Sequence, residues 1–141
     1  MNRPRVDTGL PMAENRASAF AQALQQFEQD RDLDTFTRVF APDAQLLRPE
    51  QRGGEQGEDG VRTFWQQYLD QFATVRSEFS RVVEAGALGE LEWTSRGSLG
   101  TSPDGQDVEY EGVSLLEFGD DGRVRRFATY YDTAALAHRL G

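Results

Sequence analysis

The chain has 141 residues, a net charge of −9, and 38% hydrophobic and 11% aromatic residues, which suits one globular domain with a full core. It contains no cysteine, one histidine, and arginine as its only basic residue type, so disulfides, thiolate chemistry and lysine Schiff bases are excluded and a His-based metal site or Ser-His-Asp triad has too few residues. The acidic field opposes nucleic acid and anionic lipid, no apolar run is long enough for a transmembrane helix, and without a secretory h-region a cytoplasmic location is expected.

Residues 1–12 carry two prolines and a glycine without periodicity, and read as a flexible tail before a single domain over 13–141. Ala13, Ala17, Phe20, Leu24 and Phe27 then recur at helical spacing. The stretch "DRDLDTFTRVFAPDA" continues as a second helix with Leu33, Phe36, Val39 and Phe40 on one face, ended by Pro42. A short strand, "AQLLRP", follows. The glycine-rich "EQRGGEQGED" cannot bury a face and reads as a mobile surface loop. A third helix over about residues 58–73 places Val61, Phe64, Trp65, Tyr68, Leu69 and Phe72 inward.

From Val75 the period changes to two. Four strands, "VRSEFSRVVEA", "LGELEWTSRGSL", "DVEYEGVSLLEF" and "RVRRFATYYD", are separated by turns at Gly86, "SPDG" and "GDDG". "DTAALAHRLG" closes the chain as a short helix, with Asp132 as its N-cap and His138 on its surface. Helices first and strands later imply an α+β fold, with helices packed on one face of a curved antiparallel sheet.

Alternation divides each strand into two faces. Leu91, Trp93, Ser95, Gly97 and Leu99 share one face with Val108, Tyr110, Gly112, Ser114, Leu116 and Phe118. The opposite face is acidic, with Val113 and Leu115 among the charges, and fits either a solvated surface or a dimer interface. The small inward residues, Gly97, Gly112 and the serines, leave room for a pocket. No inward Asp or Glu is evident on the four long strands.

Three segments, "FAPDA", "GEDGVRTFW" and "LLEFGDDGRVRRFATYYDTAAL", together with the order of elements, resemble the SnoaL-like branch of the NTF2-like superfamily, which includes ketosteroid isomerases and polyketide cyclases. The resemblance covers about residues 13–140. It implies a cone in which a strongly bent antiparallel sheet wraps three helices, with an axial pocket and usually a homodimer. Placed one by one, the isomerase's general base falls at Arg48, its protonated acid at Ser114, and its tyrosines at Leu24 and near Phe40 and Trp65. That proton-abstraction mechanism is therefore absent. The cyclases' base falls at Thr129, which does not act as a base unaided.

With Thr129 facing the pocket, Phe127 and Tyr131 face it too, and Tyr130 points outward. Arg48 is expected at the pocket mouth, held by one of Glu50, Glu55, Glu58 and Asp59 or by an anionic or carbonyl group of a ligand. Tyr110, Ser114 and Tyr131 would add hydrogen bonds, Trp93 a stacking surface, and Trp65 and Tyr68 either core or further lining. Tyr131 is the candidate for chemistry, through a phenol whose pKa Arg48 could depress. Two readings stay open. One is a cofactor-independent isomerase, cyclase or hydrolase acting on a hydrophobic, ring-bearing metabolite. The other is a non-catalytic binding or dimerisation module for a hydrophobic acid.

Overall fold

The structure, a computed structural model, describes residues 16–100 and 105–133. The tail, Ala13, most of the "SPDG" turn, and the closing helix with its Asp132 cap and His138 are expectations that lie in or depend on residues outside the described ones. Helix α1 (Arg16–Asp30) starts against a carboxylate from the sheet: Glu84 accepts from the Ala17 amide at 2.8 Å. A negative charge there satisfies a free N–H and favours the positive end of the helix dipole.

The other end of α1 depends on Arg31, a non-glycine residue at φ +57°. Its amide donates to Phe27 O at 2.7 Å, an ending that normally falls to glycine. Its guanidinium donates to Leu69 O at 2.8 Å and to Phe72 O at 3.2 Å. Those carbonyls lie at the C-terminal end of α3 (Gly57–Gln71), where a cation meets the negative end of the dipole. One arginine thus closes two helices and ties them together.

Between them the second helix is much shorter than its periodicity suggests. Helix α2 spans Leu33–Thr37, capped by Asp32, which accepts from Thr35 N at 3.2 Å. Phe40 and Pro42 belong instead to strand β1 (Phe40–Arg48). Pro42 falls within the register shift between Phe40 and Gln45, a break in the ladder where a missing N–H is tolerated. The proline therefore marks a bulge, not a helix end.

The glycine-rich stretch expected as a loop is strand β2 (Gln51–Gln56), antiparallel to β1. It pairs with β1 at the edge of the sheet. Gly54, at φ +65°, sits where a Cβ would overlap Leu46 O and the Leu47 side chain, so only glycine allows the approach. Phe72, expected on the third helix, is the first residue of β3 (Phe72–Ala85). Strands β4 (Leu88–Leu99), β5 (Asp107–Phe118) and β6 (Val124–Tyr131) complete a six-stranded sheet of order β2-β1-β6-β5-β4-β3.

The sheet is mixed, since β1 runs parallel to β6 while the other pairings are antiparallel. Register shifts in β1, β3 and β5–β6 bend it, as bulges do. Helix α1 rests on β3 and α3 on β1. Their shared core is aromatic: Phe27 stacks on Phe36 at 4.5 Å, and Phe36 meets Trp65 edge-on at 4.9 Å. The faces read from alternation match the observed burial along β5 and most of β4 and β6, but Ser98 and Ala128, on the outer side by alternation, are buried, and Gly97 is half-buried.

Candidate functional site

An apolar cleft opens where α1 and α3 leave the bent sheet uncovered. All nine residues singled out from the sequence line it: Arg48 from β1, Trp65 and Tyr68 from α3, Trp93 from β4, Tyr110 and Ser114 from β5, and Phe127, Thr129 and Tyr131 from β6. Leu24, Phe64, Gln71, Ser77 and Ser95 complete the wall. The cavity measures about 50 Å³, enough for about three to five waters.

Gly97 and Gly112 do not create this space, contrary to the expectation from their size. A Cβ on Gly112 would overlap Tyr130 O and lie 2.6 Å from the Trp93 ring, and one on Gly97 would overlap Thr74 O. Both glycines admit neighbours instead of leaving a void. Trp93 lies over Gly112 and forms an aromatic wall with Tyr110 and Tyr131, at 5.4 Å and 6.1 Å between ring centres. Its Nε1 donates to Ser114 Oγ at 2.9 Å, and Ser114 Oγ lies 2.9 Å from Thr129 Oγ1.

The floor rests on a carboxylate that the sequence reading passed over. Glu28 of α1 is 5% exposed. It accepts from Tyr68 OH at 2.5 Å, Ser77 N at 2.7 Å and Ser77 Oγ at 2.6 Å. Ser77 Oγ lies 2.6 Å from Ser95 Oγ. Burial raises the Glu28 pKa above its ordinary value, against the lowering effect of these bonds. Burial and the Glu28 charge push the Tyr68 phenol well above its ordinary range. A signal for Glu28 was present. Ala17, Ala21, Leu24 and Glu28 follow the inner-stripe spacing of i, i+4, i+7 and i+11, so this glutamate could not point to solvent.

At the mouth, Arg48 donates through Nη2 to Gln67 Oε1, and its guanidinium carbon lies 5.3 Å from the centre of the Phe64 ring. None of the four acids expected to hold it does so: Glu50 accepts from Tyr131 OH at 2.6 Å, and Glu58 faces Arg62. Arg48 Nε and Trp65 Nε1 are buried without a hydrogen-bond partner. Burial and the bond to Glu50 raise the Tyr131 pKa far above its ordinary value, outweighing the Arg48 charge. Near neutral pH Tyr131 is therefore a neutral phenol and not a base. Burial also raises Tyr110. No Asp, Glu or His lines the cleft among the described residues, and none of them form a group of three or more metal-ligating side chains. No helix among them is long and apolar enough to cross a membrane.

The family model of the SnoaL-like domain matches residues 18–127. The chain belongs to the SnoaL-like family. No curated protein matches it significantly. Solved structures do share this SnoaL-like fold. One carries the name SnoaL-like polyketide cyclase, from Jannaschia sp. CCS1; it is 16% identical, covers 97% of both chains and has a TM-score of 0.78. An NTF2-like protein of unknown function from Burkholderia pseudomallei is 21% identical, with 89% of this chain and 97% of that one covered and a TM-score of 0.75. SalBIII, an epoxide hydrolase/cyclase-like enzyme of pyran ring formation in salinomycin, is 14% identical, with 86% and 93% covered and a TM-score of 0.71. At such identities the likeness is one of fold.

Proposed function

We propose that this SnoaL-like chain holds a hydrophobic, ring-bearing small molecule by a carbonyl or carboxylate group, and transforms it without a cofactor as an isomerase, cyclase or hydrolase. One observation carries the reading: two residues that line an apolar cleft, Arg48 and Trp65, each hold a buried N–H, Nε and Nε1, that has no acceptor. Buried donors are nearly always paired, and a ligand oxygen at this place would pair them. The aromatic wall of Trp93, Tyr110 and Tyr131 suits a ring. Phe127 supplies apolar surface, while Ser114 and Thr129 bond to each other. Tyr131 gives its phenol proton to Glu50 and offers the cleft only the lone pairs of its oxygen.

A second reading is a binding module without turnover. It is favoured by the absence of any carboxylate or imidazole from the lining of the cleft among the described residues.

The test of ligand capture is calorimetric titration of the parent and Arg48→Ala with aromatic carboxylates. A charge-assisted hydrogen bond is worth about 1.5–3 kcal/mol, so binding should weaken about 10- to 100-fold in the variant. Equal affinity in both proteins would sink the proposal.

The outer face of the sheet supports the homodimer that the resemblance implies. Leu115 is 40% exposed and Tyr130 48% exposed there, beside Val113. Sedimentation should show a dimer in the parent and a monomer in Leu115→Glu, which would face Glu90 across the β4–β5 pair. A monomeric parent removes the dimer from this reading.

A further inference from the structure

The hydrogen bonds under the cleft have a direction that the positions of single residues do not reveal. Ionised Glu28 can only accept. Tyr68 OH and Ser77 Oγ therefore commit their single protons to it, at 2.5 and 2.6 Å. With the Ser77 proton spent, the 2.6 Å contact between Ser77 and Ser95 must be donated by Ser95. Ser95 then has no proton left for a ligand. Tyr68, Ser77 and Ser95 all line the cleft, and each offers it lone pairs alone. Two other residues of the same lining, Arg48 and Trp65, hold buried N–H groups, Nε and Nε1, that lack an acceptor. The two sets have opposite polarity, so an acceptor suited to one is repelled by the other.

We propose that Glu28, acting through Tyr68, Ser77 and Ser95, makes the cleft floor an acceptor-only surface, so that the ligand is a hydroxylated aromatic carbonyl or carboxylate compound that gives its hydroxyl proton to the floor and its oxygen to Arg48 and Trp65. This deepens the small-molecule reading above and rests on it. Glu28 is absent from the cleft lining, so it is a positioning residue that sets the polarity of groups that do touch the ligand. The narrow cavity, about 50 Å³, limits the buried part to about a single ring with its substituents. A site built to accept from a hydroxyl should reject the analogue that lacks that proton, because its oxygens are then left unpaired.

The experiment is calorimetric titration with 4-hydroxybenzoate, 4-methoxybenzoate and benzoate at about pH 8, above the ordinary carboxyl range and below that of phenols. The parent should bind the hydroxy compound about tenfold or more tightly than the methoxy compound. In Glu28→Gln that ratio should fall toward one, and in Ser95→Ala it should fall in part. Ser95→Ala leaves Glu28 all three of its donors and removes one of the three acceptors from the floor without disturbing the carboxylate. Because the ratio is read within each protein, a general loss of affinity does not enter it. A parent that binds the aromatic acids without a hydroxyl preference overturns this inference and leaves the small-molecule reading standing. A preference that survives in both variants also overturns it. If no aromatic acid binds the parent, the small-molecule reading falls, and this inference with it.

Discussion

Phe36→Ala should destabilise the protein by about 3–5 kcal/mol, the range for removing a buried aromatic ring. Phe36 is 2% exposed and sits on a helix of only five residues, Leu33–Thr37. A single turn cannot sustain itself, because helix nucleation fixes several residues for one hydrogen bond. Its anchor is the Phe36 ring, 4.5 Å from Phe27, 4.9 Å from Trp65, 5.4 Å from Phe40 and 5.7 Å from Phe20. Those neighbours come from α1, α3 and β1, elements held by separate contacts, so the cavity cannot close by moving one side chain. A domain of this kind has about 5–15 kcal/mol to lose. Urea unfolding should show a lower midpoint at unchanged slope. A loss below about 1.5 kcal/mol would mean that the core repacks, and the anchoring role would fall.

The second large effect lies at Glu28. Glu28→Ala leaves Tyr68 OH, Ser77 N and Ser77 Oγ without their acceptor in a buried place, at about 1–3 kcal/mol for each group left unpaired. A loss of at least about 2 kcal/mol is expected, with Glu28→Gln milder because its amide oxygen still accepts. The pH dependence has a definite sign. Tyr68 from α3 and Tyr110 from β5 face this carboxyl and remain protonated, while Arg76 of β3 lines the outer groove beside it. Burial raises the folded Glu28 pKa above 4.5. Between 4.5 and that raised value the folded state binds more protons than the unfolded state, so the Glu28 contribution to stability falls as pH rises through the window. Asp32, held below 3.8 by Thr35, acts oppositely: its contribution is lost as pH falls through its lowered value. Subtracting the Glu28→Gln stability curve from that of the parent isolates the Glu28 part. A difference that rises with pH across the window contradicts the assignment.

Much of this was readable from local pattern. The period of two divided β5 and most of β4 and β6 into inner and outer faces, since side chains alternate along a strand, while Ser98 and Ala128, on the outer side by that count, are buried by neighbouring elements. Thr129, Phe127 and Tyr131 therefore reached the cleft together, with Tyr130 outside. Charged and glycine-rich stretches misled where pairing was nonlocal. The β2 segment has no apolar face, so nothing in it signals a strand, and its backbone needs β1 beside it. Phe40 and Pro42 fitted the end of a helix by spacing, and only the parallel pairing of β1 with β6 drew them into the sheet.

By itself the sequence determined the α+β class, most of the strand faces and the aromatic residues that surround one cleft, because these follow from periodicity, while the family and the place of Arg48 came through the resemblance of three local segments. The tertiary structure decided which polar groups meet. Glu28, Tyr68, Ser77 and Ser95 lie on four elements, Arg48 turns to Gln67 rather than to a nearby acid, and Glu50 goes to Tyr131. The direction of a hydrogen bond depends on every partner in its chain, and those partners are brought within reach only by folding.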